Sequence, residues 1–269
     1  MDNSKPAQEK KKLSILDFQR MKQESIPVSW LTGYTYWQGR LIEKAHLDMI
    51  LVGDSLGMTE LGYDTTIPVT MDDMIRHSEA VRRGAPKTFL IGDMPFMSYQ
   101  ISNEDAIRNA GRFIVAGCDA VKCEGGMRVA GRVRAMVDAG ICVQGHLGLT
   151  PQNMAQLGGY KVQGKTDEQI QSLVRDANML EQAGAFSILL EGMPPEAGKH
   201  IHDNVNIPTY GIGAGPHVDG QLLIFHDLFG LYDRFTPRFA KQYAKINDLI
   251  FEGLSCYRAE VKSKQFPSK

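Results

Sequence analysis

Acidic side chains end several short apolar runs of this 269-residue sequence. Asp54 follows the apolar residues 49–52, Asp93 and Glu124 end two further runs, and Glu191 ends a fourth. A short, unbroken apolar run is typical of a strand that is buried on both faces of a parallel sheet. Because parallel strands end at the same edge of a sheet, we expect these four carboxylates to form one site.

Three further polar residues accompany the acids. Ser55 follows Asp54, Lys122 stands two residues before Glu124, and His146 ends another apolar run. Residues two apart on a strand share a face, so Lys122 and Glu124 are predicted to point the same way. Each residue alone also fits a turn or a structural hydrogen bond, but the whole set at one edge favours a functional site.

The charges of this set predict a bound cation. Uncompensated carboxylates in a pocket of low dielectric constant repel each other, and a cation relieves that repulsion. Carboxylate oxygens with few His or Cys ligands suit a hard divalent ion, of which Mg²⁺ is the first choice. Such an ion leaves positions open for the carboxylate and keto oxygens of a 2-keto acid. Chelation would make the carbon next to the carbonyl group more acidic.

The predicted chemistry is therefore proton abstraction beside a carbonyl group. Lys122 can neutralise the charge of the enolate that forms. A carboxylate that does not bind the metal can then act as the general base. These residue types do not identify the electrophile that the enolate attacks.

Strand and helix patterns alternate along the chain and determine where these residues lie. The apolar runs predict eight strands, over residues 28–35, 48–54, 88–93, 120–124, 141–146, 187–191, 208–213 and 222–225, the last ending in His226 and Asp227. This α/β succession predicts a single (β/α)8 barrel, in which active sites form at the carboxyl ends of the strands. A doubly wound open sheet is the main alternative, but its usual G-x-G-x-x-G motif is absent after the first strand.

Helical spacing and capping residues predict the connecting helices. A leading helix is expected over 14–24, and others over 37–45, 71–83, 103–116, 126–139, 166–183 and 237–262. Thr70 is a suitable N-cap for one of them, and Thr150 with Pro151 suits the start of a short helix. The residues from Glu191 to Pro195 read as a strand end that runs into a turn.

Composition excludes several classes of function. A net charge of −1 gives no electrostatic case for binding nucleic acid or an anionic membrane. No apolar run approaches the ~20 residues of a membrane span, and the first residues do not read as a secretory signal. We expect a disordered basic tail over residues 1–13 and one catalytic barrel domain over 14–269.

The cysteines predict neither a zinc site nor a nucleophile. None of the four forms a C-x-x-C pair: Cys118, Cys123, Cys142 and Cys256. Cys123 lies between Lys122 and Glu124, so on a strand it faces away from both. Reduced thiols in a cytoplasmic protein are the simplest interpretation.

Eight longer motifs resemble the ketopantoate hydroxymethyltransferase family, in the right order over about residues 25–260. They are Leu51–Met58, Pro68–Met71, Arg82–Pro86, Lys122–Gly126, Gly145–Gln152, Gly158–Gly164, Gly211–Gly215 and His226–Asp227. The resemblance implies a barrel of the phosphoenolpyruvate/pyruvate type. It also implies transfer of a hydroxymethyl group from 5,10-methylenetetrahydrofolate, as co-substrate, to 3-methyl-2-oxobutanoate. The product would be 2-dehydropantoate, in the first step of pantothenate biosynthesis on the way to coenzyme A.

The resemblance also assigns roles to residues of this chain. It implies one Mg²⁺ per subunit, held by Asp54, Asp93 and Glu124. It implies keto-acid contacts from Asp54, Ser55, Asp93 and Lys122. Glu191 matches the proton acceptor, which would remove the C3 proton so that the enolate attacks the methylene carbon of the folate. His146 matches a histidine near the site, without a fixed role, and the folate contacts have no short signature. A decamer, built as a pentamer of dimers, is typical of the family.

Two alternatives stay open, and one departure from the family pattern supports the second of them. The family commonly has Thr-Ala-Tyr-Asp where this chain has Thr-Gly-Tyr-Thr, so an acid is absent at Thr35. The first alternative is a metal-dependent carbon–carbon lyase of the same barrel superfamily, although such lyases typically carry a reactive cysteine on a mobile loop. The second is a non-catalytic paralogue that binds a metabolite, for which Thr35 is the one supporting feature.

Overall fold

Eight parallel strands close into a barrel in the computed structural model, which describes residues 11–267. The strands are β1 Val28–Thr32, β2 Met49–Val52, β3 Phe89–Asp93, β4 Ala120–Glu124, β5 Val143–Gly148, β6 Ser187–Glu191, β7 Thr209–Ile212 and β8 Gly220–Leu223. Each strand pairs in parallel with the next along the chain, so all their carboxyl ends lie at one mouth of the barrel. The predicted (β/α)8 barrel is confirmed.

Helices precede the barrel and connect most of its strands. They are α1 Ile15–Gln23, α2 Tyr36–Lys44, α3 Leu56–Thr59, α4 Met71–Gly84, α5 Asn103–Val115, α6 Met127–Asp138, α7 Met154–Leu157, α8 Asp167–Gln182, α9 Pro195–Asp203, α10 Phe225–Leu228 and α11 Ile246–Lys262. A short 3-10 helix, Pro151–Asn153, precedes α7. Thr70 caps α4 as predicted, because its side chain accepts a hydrogen bond from the backbone N–H of Asp73.

Aromatic packing closes the amino end of the barrel. The ring of Phe18 in α1 meets the ring of Phe89, the first residue of β3, at 5.0 Å between centroids. Phe186, just before β6, packs against Phe89 at 5.9 Å. Burying such a side chain contributes about 1.5–3 kcal/mol. Helix α1 therefore covers the end of the barrel opposite to the acids, and the carboxyl end is the mouth available to a substrate.

Several predicted boundaries were wrong, and one helix was missed. Strand β1 ends at Thr32 rather than at 35, and β2 covers Met49–Val52 rather than 48–54. Strand β8 covers Gly220–Leu223 rather than 222–225, and His226 and Asp227 lie in α10. Strand β5 begins and ends two residues later than predicted. Helix α9 was read as a turn, although a proline at the first helical position is favourable and Pro195 begins it. The last helix begins at Ile246 rather than 237.

The late start of α11 has a backbone cause. The backbone N–H of Tyr243 donates to the carbonyl of Leu228, and that of Ile246 donates to the carbonyl of Phe229. Because the Tyr243 N–H is bonded to Leu228, it does not donate to the carbonyl of Phe239 four residues earlier. The hydrogen bond from the Ala240 N–H to the Pro237 carbonyl spans three residues and forms a turn. The apolar spacing of Phe239 and Tyr243 predicted a helix there, but it does not reveal these partners.

The described residues form two compact units. The first ends at Leu222 and contains the strands of the barrel, and the second begins at Leu223 and contains α10 and α11. The single catalytic domain over 14–269 stays a prediction. Residues 1–10 of the predicted tail lie outside the described residues, whereas Lys12 forms an ion pair of 2.5 Å with Asp119. No helix within 11–267 is long and apolar enough to cross a membrane.

Thr35, where the family's acid is absent, is the N-cap of α2. Its side chain accepts a hydrogen bond of 3.4 Å from the backbone N–H of Gln38. The Gln38 Oε1 atom in turn accepts from the backbone N–H groups of Thr35, at 3.2 Å, and Tyr34, at 2.6 Å. This reciprocal pattern is a capping box. Threonine and aspartate both fill this role, so the departure keeps the local structure.

Replacing Thr35 with Ala should lower the free energy of unfolding by about 1 kcal/mol, because an orphan N–H of the helix loses its acceptor. Replacing it with Asp should leave the stability within a few tenths of a kcal/mol. Urea unfolding of both variants checks this, with Thr70→Ala as a second capping-box loss for calibration. Equal stability of Thr35→Ala and the unsubstituted protein would contradict the capping role.

Candidate active site

Five strand ends bring the predicted residues together at one mouth of the barrel. Asp54 follows β2, Asp93 and Glu124 end β3 and β4, His146 lies in β5, and Glu191 ends β6. Lys122 stands opposite Asp93 in the register of β3 and β4, and Glu124 stands opposite His146 in that of β4 and β5. All of these residues except Glu191 are at most 4% exposed. The Glu191 side chain is 19% exposed, so it is the acid most open to solvent.

Lys122 is the positive centre of the site. Its Nζ atom lies 2.8 Å from Asp93 Oδ1, 3.7 Å from Glu124 Oε1 and 3.3 Å from His146 Nδ1. Burial alone would lower the pKa of this ammonium group, but the charges of Asp93, Glu124 and Asp54 outweigh burial and raise it. Lys122 is therefore charged at neutral pH. One positive charge faces three buried carboxyl groups.

The three carboxyl groups respond differently to this shortage of positive charge. Burial, followed by the charges of Asp93 and Glu124, raises the pKa of Asp54 well above its usual range. Burial also raises the pKa of Asp93, against the opposing effect of Lys122. For Glu124, Lys122 and a hydrogen bond from His146 outweigh burial and lower the pKa. A proton or a metal ion is thus needed to balance the charge, and Asp54 is the group that most favours a proton.

His146 connects the buried centre to Glu191. Its Nδ1 atom lies 3.4 Å from Glu124 Oε1, and its Nε2 atom lies 3.2 Å from Glu191 Oε2. Burial and Lys122 would lower the pKa of this imidazole, but the hydrogen bonds to Glu124 and Glu191 raise it. The sequence left the role of His146 open. In the structure its ring lies between the carboxylate of Glu191 and the charged centre.

Ser55 lies beside Asp54 and has a partner that the sequence did not indicate. The hydroxyl groups of Ser55 and Tyr34 are 2.8 Å apart. Tyr34 follows β1, and its carbonyl oxygen lies 2.6 Å from the Nδ1 atom of His77 in α4. The end of the first strand therefore contributes to the site through Tyr34, while its neighbour Thr35 caps a helix.

Gln152 and Tyr99 are two further site residues that the sequence analysis did not single out. The Nε2 group of Gln152 donates to Asp54 Oδ2 at 2.9 Å, and its backbone N–H donates to Glu124 Oε2 at 3.0 Å. The hydroxyl group of Tyr99 donates to Gln152 Oε1 at 2.9 Å. Gln152 ends one of the family motifs, which was a usable signal, whereas nothing in the sequence around Tyr99 distinguished it.

The donor set fits a hard divalent cation. No group of three His, Cys, Asp or Glu side chains within residues 11–267 is arranged as a complete metal site. Mg²⁺ does not require one, because it usually keeps several waters and binds through one or two carboxylates. Two buried oxygens, Asp93 Oδ1 and Glu124 Oε1, lie 2.8 and 3.7 Å from Lys122 Nζ, and no amide or hydroxyl donor of the described residues reaches them. Both belong to the negatively charged cluster, so they are suitable ligands for a cation that adds the missing charge.

Comparison with known families identifies relatives over almost the whole chain. The model of the family described as ketopantoate hydroxymethyltransferase matches residues 12–269. The 3-methyl-2-oxobutanoate hydroxymethyltransferase of Alkaliphilus metalliredigens (strain QYMF) is 53% identical, over 96% of this chain and 92% of its own. The protein of the same name from Heliobacterium modesticaldum (strain ATCC 51547 / Ice1) is 52% identical, over 96% of this chain and 94% of its own.

Solved structures of similar fold are much more distant in sequence. A phosphonopyruvate hydrolase, solved in complex with oxalate and Mg²⁺, has a TM-score of 0.61 and 15% identity, over 91% of this chain and 97% of its own. A 2,3-dimethylmalate lyase of the PEP mutase/isocitrate lyase superfamily has a TM-score of 0.59 and 16% identity, over 94% of this chain and 87% of its own. Identities this low are evidence for the fold alone, which is the predicted (β/α)8 barrel.

Proposed function

Because this chain belongs to the ketopantoate hydroxymethyltransferase family, we propose that it transfers a hydroxymethyl group from 5,10-methylenetetrahydrofolate to 3-methyl-2-oxobutanoate. The product is 2-dehydropantoate, in the first step of pantothenate biosynthesis. The observation that carries the proposal is the match of more than half of the aligned residues to curated enzymes of that name over 96% of the chain. Membership of this family implies that the substrates are small molecules. The folate donor is a further part of the proposal.

Three acids would hold one Mg²⁺ per subunit: Asp54, Asp93 and Glu124. The excess of buried carboxyl groups over the single charge of Lys122 supports this assignment. When bound, the ion polarises the carbonyl group of the keto acid and increases the acidity of C3. Carboxylate oxygens are the ligands that Mg²⁺ prefers, which favours it over softer metals.

Glu191 is the proposed proton acceptor. Its carboxylate is partly exposed and lies 3.2 Å from His146, which orients it, so a substrate at the mouth can meet it. Lys122 carries a stable positive charge beside the acids and would neutralise the enolate oxygen that forms as C3 loses its proton. The hydroxyl group of Ser55 would contact the keto acid beside Asp54.

Carbon–carbon bond formation follows proton removal. C3 of the enolate attacks the methylene carbon of the folate donor, and a new bond joins these two atoms. Both bonds between this carbon and the two folate nitrogens break during the transfer, and each nitrogen keeps the electron pair. One water supplies the hydroxyl oxygen of the product, and its remaining proton and the proton accepted by Glu191 end on the two nitrogens of tetrahydrofolate. The chain's own contribution is to hold the keto acid, accept its proton at Glu191 and stabilise the negative charge at Lys122.

Two further properties are proposed from the family alone. The protein is a homo-oligomer, and a decamer built as a pentamer of dimers is the proposed assembly. Its location is proposed to be the cytoplasm, where reduced cysteines are the rule. The lyase and the non-catalytic paralogue remain the alternatives to be tested.

Product formation should require both the folate donor and a divalent cation. Incubation of the protein with 3-methyl-2-oxobutanoate, 5,10-methylenetetrahydrofolate and Mg²⁺ should yield 2-dehydropantoate, measured by mass spectrometry. Removal of the cation with a chelator should reduce the rate to background, and added Mg²⁺ should restore it.

The same assay separates the alternatives. A lyase would cleave a 2-hydroxy diacid without folate, and a non-catalytic paralogue would bind the keto acid without forming product. Undiminished turnover in excess chelator would contradict the metal site, and failure to form 2-dehydropantoate under any of these conditions would contradict the proposed reaction.

A further inference from the structure

Gln152 makes contact with two of the three acids at once. Its side-chain Nε2 group donates to Asp54 Oδ2, and its backbone N–H donates to Glu124 Oε2. The residue is 4% exposed and lies in the 3-10 helix after β5. A single residue therefore links an acid that follows β2 to an acid that ends β4.

The hydrogen bonds of the Gln152 amide use all its donors and acceptors. Nε2 donates to Asp54 Oδ2 and to the carbonyl oxygen of Met94, both at 2.9 Å. Oε1 accepts from the hydroxyl group of Tyr99 at 2.9 Å and from Gln100 Nε2 at 3.3 Å. Rotation of the amide by half a turn would place its oxygen against a carboxylate and a carbonyl oxygen, so the network permits one orientation only.

Tyr99 extends this network to the backbone of β4. Its hydroxyl group accepts a hydrogen bond of 2.9 Å from the backbone N–H of Glu124 while it donates to Gln152. Tyr99 is fully buried, and desolvation raises the pKa of its hydroxyl group well above the usual range, so it stays protonated and able to donate. Tyr99 therefore binds the backbone of Glu124, and Gln152 binds its side chain.

One oxygen of each acid accepts a hydrogen bond from an amide donor. Asp54 Oδ2 and Glu124 Oε2 accept from Gln152, and Asp93 Oδ2 accepts from the backbone N–H of Asp54 at 3.1 Å. The second oxygens of Asp93 and Glu124 are buried and lie 2.8 and 3.7 Å from Lys122 Nζ, and no amide or hydroxyl donor of the described residues reaches them. The neutral donors thus restrain one side of each carboxylate, and the other side faces the charged centre where a cation would bind.

We propose that Gln152, held in orientation by Tyr99, is a positioning residue that prepares Asp54 and Glu124 to bind the divalent cation. The proposal rests on the metal site proposed above. Donor groups outside the coordination sphere that orient ligating carboxylates typically change metal affinity by about tenfold to a hundredfold. Gln152 supplies such a group to two ligands that lie far apart in sequence.

Replacing Gln152 with Met keeps the length of the side chain and removes its donor and acceptor. We expect the dissociation constant for Mn²⁺, measured by electron paramagnetic resonance without substrate, to rise about tenfold or more. In steady-state assays the Mg²⁺ concentration needed for half activation should rise similarly, while kcat at saturating Mg²⁺ recovers. Gln144→Met is the matched control, because Gln144 is also a buried glutamine but donates to Ser187 Oγ rather than to an acid.

Each outcome decides between the two proposals. An unsubstituted protein that binds no Mn²⁺ would contradict the metal site itself. An unsubstituted protein that binds Mn²⁺, with a Gln152→Met variant that binds within twofold of it, would overturn the positioning role alone. An equal loss of affinity in Gln144→Met would also overturn it, because the loss would then reflect general damage to the barrel.

Tyr99→Phe provides the test if Gln152→Met does not fold. This change removes one oxygen atom and leaves the ring in the core. We expect a loss of Mn²⁺ affinity of about fivefold, comparable to one ordinary hydrogen bond, because the Gln152 amide is no longer held. Unchanged affinity in a folded Tyr99→Phe variant would contradict the proposed restraint.

Discussion

Replacing Glu191 with Gln should slow the exchange of the C3 proton of 3-methyl-2-oxobutanoate for deuterium by about a thousandfold. A positioned general base typically contributes a factor of about 10²–10⁴, and glutamine keeps the shape of the side chain but cannot accept the proton. The exchange is followed by proton nuclear magnetic resonance in deuterated buffer with Mg²⁺ and without the folate donor. Omitting the folate isolates proton removal from the later attack.

Binding measurements identify the cause of the slower exchange. Glu191 lies outside the group of acids proposed to hold the metal, so calorimetry should show nearly unchanged affinity for the keto acid and Mg²⁺. Glu196→Gln is the matched control, because this acid lies five residues further on, exposed in the first turn of α9, and should not affect exchange. Exchange at the normal rate in Glu191→Gln would remove Glu191 from the role of proton acceptor.

Replacing Lys122 with Met should both slow turnover strongly and destabilise the metal-free protein. The Lys122 ammonium group forms the lysine ion pairs of Asp93 and Glu124 in the site. Removing one partner of a buried ion pair typically costs about 3–5 kcal/mol of stability. Urea unfolding in the presence of a chelator measures this loss. Turnover should fall by about a factor of 10²–10³, as for the removal of one group that stabilises a developing oxyanion.

The pH dependence of the Lys122→Met variant tests the electrostatic origin of the loss. Burial already raises the pKa of Asp54 and of Asp93 above their unfolded value of 3.8, and losing Lys122 raises both further. A group with a raised pKa binds more protons in the folded state, so its stabilising effect is present in acid and is lost as pH rises through the folded pKa. The variant should therefore lose more stability than the unsubstituted protein does when each is compared at one acid and one neutral pH.

A surface lysine provides the comparison for Lys122. Lys199 forms an ion pair with Asp203 in α9, and both side chains are about half exposed. Lys199→Met should leave stability unchanged within error at both pH values, because exposed pairs are screened by solvent. A loss in Lys122→Met that is the same at both pH values would indicate lost packing rather than unbalanced charge.

The barrel and its mouth were predictable because each strand has a local signature. The runs before Asp54, Asp93 and Glu191 are apolar on both faces, which is typical of a buried parallel strand. Once eight such runs alternate with helical patterns, the barrel topology places their carboxyl ends together without any knowledge of side-chain contacts. The predicted acids therefore lie at the same mouth. Boundaries were less predictable where the chain lacks such a run, as before α11.

The residues that support the acids were not predictable in the same way. Gln152 contacts Asp54 across 98 positions of sequence, and Tyr99 contacts Gln152 across 53. Neither residue has a charge, and a buried amide or phenol occurs in many cores as an ordinary hydrogen-bonding group. Tyr34 also has no charge, and its contact with Ser55 is tertiary. The departure from the family pattern lies at its neighbour Thr35, which caps a helix. Such roles depend on tertiary contacts that no local pattern encodes.

The acids and the proton acceptor come from separate stretches of the chain. The charged centre is built from β2 to β5 and completed by Gln152, whereas Glu191 ends β6 and touches that centre only through His146 among the contacts described for it. In the proposed function, metal binding and proton removal therefore fall to separate parts of one barrel. For enzyme engineering, the proposal implies that a library limited to the loop after β6 can vary the chemistry at the enolate while the proposed metal and keto-acid contacts stay unchanged.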